Sequence, residues 1–293
     1  MNSPFSQSIT FKKELKIDDQ EFKQLRDFIY EKSGIYIGDN RKYLLENRLG
    51  NRLKAHNLKS FKEYAYFLRY DSQRNEELAK LFEVITTNET SFFRNPPQIK
   101  IFQDQILKDI IKAKKARGEK KLTIWSAGCS TGEEPYTLSI VLHEVLQHEL
   151  GSWKPKIIAN DLSNAVLSAA RRGIYTQYAL RTTPPEIIKR YFVEESEGKF
   201  RVQDRVKDLV QFGQINLSDR FQLKKVERSD VIFCRNVIIY FDDEMKKNVI
   251  NSFYDNLLPG GYLFIGHSES LHNISRAFKP LHYPGSIVYL KEK

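Results

Sequence analysis

The chain has 293 residues, of which 41% are hydrophobic and 29% charged, so it can bury the core of one large domain or two smaller ones. Two cysteines exclude a disulfide scaffold and a structural zinc cluster. The apolar runs are far shorter than the ~20 residues of a membrane helix, and the N-terminus lacks the apolar stretch of a secretory signal. We therefore expect a soluble, cytoplasmic protein without membrane insertion. The net charge of +10 leaves nucleic acid, an anionic membrane surface and an acidic protein as candidate partners.

In residues 1–85 the spacing of apolar side chains is typical of helices, and no strand pattern is present. Apolar side chains recur at intervals of three and four, as in Phe22, Leu25 and Phe28, and predict an all-helical domain. Residues 41–62 hold seven basic side chains and one acidic one. Three of the basic residues fall on one helical stripe: Arg41, Arg48 and Arg52. This stripe is either a docking surface for an acidic helical partner or a solvated helix face without a partner.

From residue 122 onward, short apolar runs alternate with helical patterns. The apolar runs lie at 122–126, 156–160, 206–212, 231–234 and 262–265, and the helical patterns at 134–148, 163–171 and 243–257. This alternation predicts an α/β domain with a mostly parallel sheet, and the turn at 282–286 predicts an antiparallel C-terminal hairpin. We place a linker at 86–98 and the α/β domain at 99–293. Residues 184–205 fit neither pattern, and we predict that they form a small inserted subdomain of a helix and a hairpin.

The strongest local signal is the turn SAGCSTGEEP at 126–135, directly after the first apolar run. Small residues between a strand and a helix let backbone N–H groups approach a ligand. The turn has neither the Lys-Ser/Thr of a P-loop nor the pattern G-x-G-x-x-G, and Glu133 and Glu134 would repel a phosphate. The turn therefore favours a ligand with a cationic group and no phosphate. The alternative is a tight turn whose acidic residues complement the helix dipole.

Further polar residues follow two of the predicted strands. Asp161 ends the second run, where an acidic residue can accept hydrogen bonds from ribose hydroxyls. Arg235 and Asn236 follow the run at 231–234, and Tyr240 comes a few residues later. Ligands of open α/β sheets bind beyond the carboxyl ends of the strands, so these side chains indicate one nucleoside pocket. Taken singly, Asp161 can also be a helix cap, and Arg235-Asn236 can be a charged loop.

Six segments in order along the chain carry a resemblance to a known family. They are TTNETSFFR at 86–94, SAGCSTGEEPY at 126–136, AND at 159–161, NL at 216–217, FCRNVIIYF at 233–241 and GHSE at 266–269. With these segments the chain resembles the chemotaxis receptor methyltransferases of the CheR type, from about residue 15 to the C-terminus.

The resemblance implies an α/β, Rossmann-like S-adenosylmethionine-dependent methyltransferase domain preceded by a small all-α domain. It implies transfer of a methyl group to glutamate side chains of methyl-accepting chemotaxis receptors, with S-adenosylhomocysteine as the product. The residues implied for donor binding are Asn88, Thr90, Arg94, Glu133, Asp161, Asn216, Leu217, Arg235 and Asn236. Arg94 and Tyr240 are implied to lie closest to the transferred methyl group. The implied partner of the basic stripe is the cytoplasmic helical region of the receptor, and we expect a monomer that binds no metal.

The chemistry of this reaction assigns expected roles to several side chains. A glutamate carboxylate has a reference pKa of about 4.3 and is already ionised at pH 7, so its methylation needs no general base. We expect Arg94 to orient a carboxylate, of the donor or of the substrate, and Tyr240 to supply a neutral hydrogen bond near the substrate. Glu133 is expected to pair with the ammonium group of the donor, and Asp161 with its ribose.

Two expectations concern partners. The hairpin region at 192–201 is a few residues shorter than in family members that hold a C-terminal receptor pentapeptide, so we expect no dependence on such a peptide. The competing function is a nucleic-acid (RNA) methyltransferase, which the charge of +10 supports. However, NPPQ at 95–98 has Gln in place of the aromatic residue of base-gripping methylases and precedes the donor turn, so we expect no nucleic-acid partner.

Cys234 lies in an apolar run and is expected to be a core residue.

Overall fold

The N-terminal part of the chain is a bundle of helices. The structure, a computed structural model, describes residues 15–86 and 89–292. Residues 15–86 form four α-helices: α1 (Asp19–Ser33), α2 (Lys42–Ala55), α3 (Phe61–Tyr70) and α4 (Arg74–Ile85). A capping box of Asp18 and Glu21 begins α1, and Gly34 ends it at φ +73°, a conformation that glycine adopts without strain. The apolar stripes of the four helices meet in one buried cluster, as the spacing of three and four predicts.

The predicted basic stripe is largely occupied by contacts inside this bundle. Arg52 donates through Nε to Glu77 at 2.9 Å and forms a second hydrogen bond to the other carboxylate oxygen. Burial acts to raise the pKa of Glu77, but hydrogen bonds from Arg52, Tyr64 and His56 outweigh it and hold that pKa below its usual range. Arg48 donates to the backbone oxygens of Val84 and Ile85 at the end of α4, at 3.2 and 2.5 Å.

These contacts correct the prediction of a free docking stripe. Arg48 and Arg52 face α4 and hold it against α2, because the stripe of a helix that flanks its apolar residues also borders the neighbouring helix. Only Arg41 of the three predicted docking residues is exposed, in a short 3-10 turn before α2. Of the three charges, that of Arg52 is paired with a carboxylate inside the bundle, and the use of the stripe for docking stays a prediction.

Residues 89–292 form an α/β domain around a sheet of seven strands. The strands are β1 (Lys121–Ala127), β2 (Lys154–Asp161), β6 (Val210–Gln214), β7 (Ser229–Cys234), β8 (Leu257–Ile265), β9 (Lys279–Tyr283) and β10 (Ser286–Leu290). Their order in the sheet is β6-β2-β1-β7-β8-β10-β9, in which the first five strands are parallel and β9 and β10 are an antiparallel hairpin next to β8. This confirms the predicted fold class.

Helices cover both faces of the sheet, which is why its central strands read as continuous apolar runs. On one face, Phe233 packs against Phe102 from the helical segment that enters the domain. On the other face, Trp125 packs edge-on against Phe253 with ring centroids 5.2 Å apart, and the buried Cys234 belongs to this cluster, as expected. The helices are α5 (Pro96–Ile101), α6 (Leu107–Ala116), α7 (Glu133–Leu146), α8 (Asn164–Arg172), α11 (Arg220–Lys224) and α12 (Asp243–Asn256).

The NPPQ segment begins a helix and is part of the core. Asn95 precedes α5 in a left-handed conformation, and a π-helical turn at Phe102–Ile106 joins α5 to α6. Gln98 is buried and donates to the backbone oxygen of Ile265 at 2.9 Å. Its amide therefore ties α5 to the end of β8.

The inserted subdomain is larger than predicted. It contains the expected helix, α9 (Pro185–Tyr191), and hairpin, β4 (Phe192–Ser196) with β5 (Lys199–Val202). A third strand, β3 (Ile174–Thr176), pairs with β5 and extends the subdomain toward the N-terminus. Independence from a receptor pentapeptide stays a prediction.

The predicted strand at 206–212 is partly wrong. Its first residues belong to the short helix α10 (Asp204–Lys207), and β6 begins only at Val210. Val206 is apolar because it packs into the core from a helix, where Ser139 donates to its backbone oxygen at 2.7 Å. A short apolar run alone does not separate these two cases.

No helix within residues 15–86 and 89–292 has the length and apolar character needed to cross a membrane. The same residues contain no cluster of His, Cys, Asp and Glu side chains that could hold a metal ion.

Candidate active site

A cavity of about 250 Å³ lies at the carboxyl ends of β1, β2 and β7. In the sheet, β1 has β2 on one side and β7 on the other, so the chain reverses its direction of strand addition at this point. Such a switch point leaves a crevice between the loops that follow the strands. Residues of the turn after β1, the end of β2 and the loop after β7 line the cavity, together with parts of the linker and the N-terminal bundle.

The turn after β1 approaches its neighbours too closely for larger residues. Gly128 has φ +78°, and a Cβ atom there would lie 2.4 Å from a methyl group of Val237. Gly132 has φ +95°, and its Cβ would lie 2.8 Å from that of Ala170. The small residues seen in the sequence therefore let the turn pack against the loop after β7 and against α8, which sets the position of both cavity walls.

Asp161 joins the turn to the end of β2. Its carboxylate accepts a hydrogen bond from the backbone N–H of Ser130 at 2.8 Å and another from Ser163 at 3.0 Å. Burial raises the pKa of Asp161, although these two backbone donors act in the opposite direction. An ionised carboxylate has about four acceptor positions, so Asp161 keeps acceptor capacity for a ligand. The cap of α8 is Ser163, whose side chain accepts from the backbone N–H of Val166, so the alternative role of Asp161 as a helix cap is wrong.

Of the two adjacent acidic residues at the start of α7, Glu134 lines the cavity and Glu133 does not. Glu133 is buried and accepts a hydrogen bond from the hydroxyl of Thr131 at 2.6 Å. Successive helical residues point about 100° apart, so only one of two adjacent acids at a helix start can face a given cavity. Glu134 is therefore a further candidate for the cationic group of a ligand, and the pairing of Glu133 with that group stays a prediction.

Glu134 forms a buried ion pair with Arg235 across the cavity floor. The guanidinium Nη1 lies 3.3 Å from the carboxylate, and the side chains are 4% and 12% exposed for Arg235 and Glu134. Ser126 also donates to Glu134, at 2.7 Å. Burial raises the pKa of Glu134, whereas the charge of Arg235 and these hydrogen bonds lower it. Arg235 donates further to the backbone oxygen of Arg94 at 2.6 Å, which ties the loop after β7 to the linker.

The linker brings Thr90 and Arg94 to the cavity, as predicted, and Asn88 lies outside the described residues. Arg94 donates to the backbone oxygen of Glu89 at 2.9 Å. The pKa of Arg235 is lowered, and burial is the largest cause. The negative charge of Glu134 acts to raise that pKa, whereas the positive charge of Arg94 lowers it further. Two cationic side chains thus lie near each other at this wall, an arrangement suited to a carboxylate ligand.

The remaining predicted residues also line the cavity: Asn216, Leu217, Asn236 and Tyr240. Asn216 donates through its side chain to the backbone oxygen of Lys32 at 2.7 Å, at the end of α1. The backbone N–H of Tyr36 donates to the backbone oxygen of Tyr240 at 2.8 Å. The helical bundle and the α/β domain therefore meet at the cavity.

Several lining residues were missed in the sequence. Ser33 and Ile35 come from the end of α1, and Ser130 comes from the turn after β1. The first two belong to a helix end whose local pattern shows no ligand chemistry, so they could be found only from the tertiary packing. Ser130 lies inside the recognised turn, and its positive φ of +47° marks it as unusual only once the backbone is known.

The polar groups at the cavity fit a cationic nucleoside better than a nucleotide. Among the described residues, the Ser130 hydroxyl and Arg235 Nε are buried without a hydrogen-bond partner, so a polar ligand can satisfy both. The acidic side chains Glu134 and Asp161 favour a positive charge and hydroxyl donors, and the lysine of a P-loop is missing from the turn. These features fit S-adenosylmethionine, which carries a sulfonium, an ammonium, a carboxylate and a ribose.

Comparison with known proteins gives the class and the family. Residues 88–286 match the family model described as "CheR methyltransferase, SAM binding domain", and residues 20–86 match "CheR methyltransferase, all-alpha domain". Fold, cavity and matched domain together define an S-adenosylmethionine-dependent methyltransferase.

Three curated relatives cover almost the whole chain. Chemotaxis protein methyltransferase 2 of Vibrio cholerae is 36% identical over 280 residues, which are 95% of this chain and 95% of the relative. Chemotaxis protein methyltransferase of Borreliella burgdorferi is 36% identical over 282 residues, covering 96% and 97%. Chemotaxis protein methyltransferase 1 of Pseudomonas aeruginosa is 35% identical over 272 residues, covering 92% and 97%. The chain belongs to the CheR methyltransferase family.

The raised pKa values predict how donor binding depends on pH. If the ionised forms of Asp161 and Glu134 hold the donor, its affinity is constant above their raised pKa values and falls as the pH decreases through them. We expect calorimetric titrations with S-adenosylhomocysteine from about pH 8 to about pH 5 to show this loss before free carboxyl groups titrate. An affinity that rises or stays constant on acidification would contradict the role of these carboxylates.

Proposed function

We propose that this chain transfers the methyl group of S-adenosylmethionine to glutamate side-chain carboxylates of chemoreceptors, giving methyl esters for sensory adaptation. The observation that carries the proposal is the cavity shared by both domains, in a chain whose relatives are named for chemotaxis over nearly its full length.

Some residues of the cavity would contact the methyl donor, and others would contact the acceptor carboxylate. Asp161 would accept hydrogen bonds from the ribose hydroxyls, and Glu134 would lie nearest the cationic end of the donor. The remaining donor contacts would come from Thr90, Arg94, Asn216, Leu217, Arg235 and Asn236, with Asn88 as a further expected contact. When bound, S-adenosylmethionine supplies a methyl carbon whose bond to sulfur breaks as its bond to the carboxylate oxygen forms, leaving S-adenosylhomocysteine.

The chain itself has to orient the acceptor and exclude water. The acceptor carboxylate is ionised at pH 7, so the side chains at the cavity mouth need not remove a proton. Arg94 and Tyr240 both line the cavity. Arg94 would orient a carboxylate by charge, and Tyr240 would donate a neutral hydrogen bond to the acceptor. A neutral donor suits an acceptor that loses its charge in the reaction, because a strong cation would stabilise the ground state more than the transition state.

Substitution of Tyr240 by phenylalanine tests this assignment. We expect methyl transfer to fall about tenfold or more, because one hydrogen bond to a charged group is lost, with unchanged affinity for S-adenosylhomocysteine. The measurements are initial rates with saturating donor and a calorimetric titration. Tyr66→Phe, on an exposed face of α3, is the matched control. Full activity of Tyr240→Phe would exclude a required hydroxyl.

Docking of the receptor is proposed to use Arg41, the exposed member of the predicted stripe. Reversing its charge with Arg41→Glu should raise the receptor KM about two- to fivefold at low salt, since exposed ion pairs contribute little each. The effect should shrink as salt is added. Lys120→Glu makes the same change in net charge on the other domain. Equal KM changes in both variants would show a general charge effect and remove Arg41 from the docking surface.

The chemical nature of the product tests the proposed function. Receptor-containing membranes and, separately, RNA are incubated with the chain and donor carrying a radiolabelled methyl group. The proposal predicts label on the receptors that mild base releases as methanol, because a carboxylate methyl ester is readily hydrolysed. Base-stable label on the receptors, or label on RNA alone, would overturn it.

A further inference from the structure

The segment Gly266–Glu269 follows β8 and contacts the loop after β7. The carboxylate of the partly buried Glu269 accepts hydrogen bonds from the backbone N–H of Asn236 at 2.9 Å and of Ile239 at 3.3 Å. It also accepts one from the backbone N–H of Gly266. Three backbone N–H groups from two segments therefore donate to one side chain. Glu269 thus connects the loop after β7 to the segment after β8 at the edge of the cavity.

The loop that Glu269 holds has a conformation that needs support. Asn236 has φ +59°, a region that side-chain-bearing residues occupy uncommonly and at a cost in free energy. Without the carboxylate, several backbone N–H groups would point toward one small space with no acceptor for them. Such converging N–H groups form a site for an anion, and Glu269 supplies that anion from within the chain.

The fit between the two segments is close on both sides. A Cβ atom at Gly266 would lie 2.6 Å from the Glu269 carboxylate and 3.0 Å from the backbone nitrogen of Asn236. Glycine is thus required at this position by close approach, which explains why Gly and Glu occur together in GHSE. The same loop carries Asn236, Ile239 and Tyr240 to the wall of the cavity.

We propose that Glu269 is a positioning residue for methyl transfer: its carboxylate fixes the loop after β7 so that Asn236 faces the donor and Tyr240 faces the acceptor. Glu269 itself does not line the cavity. The assignment rests on the proposed role of the loop residues in ligand binding. It differs from a purely structural cap, because it predicts loss of donor affinity beyond any loss of stability.

Asp230 offers a matched control at the opposite end of β7. It is a buried carboxylate that accepts a hydrogen bond from the backbone N–H of Thr123 at 2.9 Å and pairs with Lys114 at 2.8 Å. Asp230→Asn removes a carboxylate charge from β7 itself, the strand that precedes the loop held by Glu269, at the end away from the cavity. It therefore reports how much donor affinity is lost when β7 is merely destabilised.

The test uses full-length Glu269→Gln and Asp230→Asn. Glutamine keeps the size of the side chain but places an NH₂ group among backbone donors. We expect Glu269→Gln to weaken binding of S-adenosylhomocysteine at least tenfold by calorimetry and to speed hydrogen–deuterium exchange across residues 235–241. We expect Asp230→Asn to bind within twofold of wild type even if its melting temperature is lower. Binding of Glu269→Gln within twofold of wild type, or no weaker than that of Asp230→Asn, would overturn the proposal.

A second variant covers the case in which Glu269→Gln does not fold. Gly266→Ala pushes a methyl group against the carboxylate and should give the same tenfold loss and the same faster exchange at 235–241. Wild-type affinity and exchange in Gly266→Ala would count against the proposal. Failure of the wild-type chain to bind S-adenosylhomocysteine would instead contradict the cavity assignment, so the two outcomes are distinguishable.

Discussion

Substitution of Arg235 by methionine is expected to abolish methyl transfer and to lower the free energy of unfolding by about 3–5 kcal/mol. The reason is that the guanidinium is almost fully buried beside Glu134, which would keep its charge without a buried partner. The variant also loses the hydrogen bond to the backbone oxygen of Arg94, so the linker is no longer tied to the loop after β7. Urea unfolding followed by circular dichroism measures the loss of stability, and a methyl-transfer assay measures the loss of activity.

A double variant separates stability from function. In Glu134→Gln/Arg235→Met no charge of the pair remains buried, so most of the lost stability should return. Methyl transfer should stay absent, because both donor-facing groups are gone. Recovery of activity in the double variant would show that Arg235 serves only to neutralise Glu134. A loss below about 1 kcal/mol in Arg235→Met alone would contradict the buried pair.

Substitution of Asp161 by asparagine is expected to weaken donor binding about a hundredfold or more. Hydrogen bonds to a charged group contribute about 1.5–3 kcal/mol each, and two ribose hydroxyls are proposed to lose such bonds. In addition, asparagine replaces one acceptor oxygen by an NH₂ donor that would face the backbone N–H of Ser130 or of Ser163, so the turn after β1 shifts as well. A calorimetric titration with S-adenosylhomocysteine gives the affinity.

The control for Asp161 is Asp18→Asn, because asparagine caps a helix about as well as aspartate does. Donor affinity there should equal that of the wild type. If Asp161→Asn binds the donor within about threefold of the wild type, Asp161 serves only to hold the turn after β1 against the end of β2.

The sequence was sufficient where one pattern allows one arrangement. Alternation of apolar runs and helices predicted the parallel sheet, because both faces of its central strands are covered. The turn after β1, Asp161 and Arg235 were found because polar residues that end parallel strands collect at one edge. The positions of these residues follow from the order and direction of the strands, which short sequence patterns can predict.

The sequence was insufficient where the outcome depends on the rotation or packing of a helix. Glu133 and Glu134 are adjacent acids, and only the orientation of α7 decides which one meets the cavity. Arg52 was read as a surface charge, although its partner Glu77 lies 25 residues away on another helix. Ser33 reaches the cavity only because the bundle packs against the α/β domain. None of these contacts leaves a local pattern.

The most direct test of the proposed reaction is mass spectrometry of a receptor cytoplasmic fragment incubated with the chain and donor carrying a deuterated methyl group. We expect peptides whose mass gain maps to glutamate side chains, and we expect no such gain in reactions with Arg235→Met. Deuterated methyl groups on other side chains, or no mass gain from a preparation that binds S-adenosylhomocysteine, would contradict it.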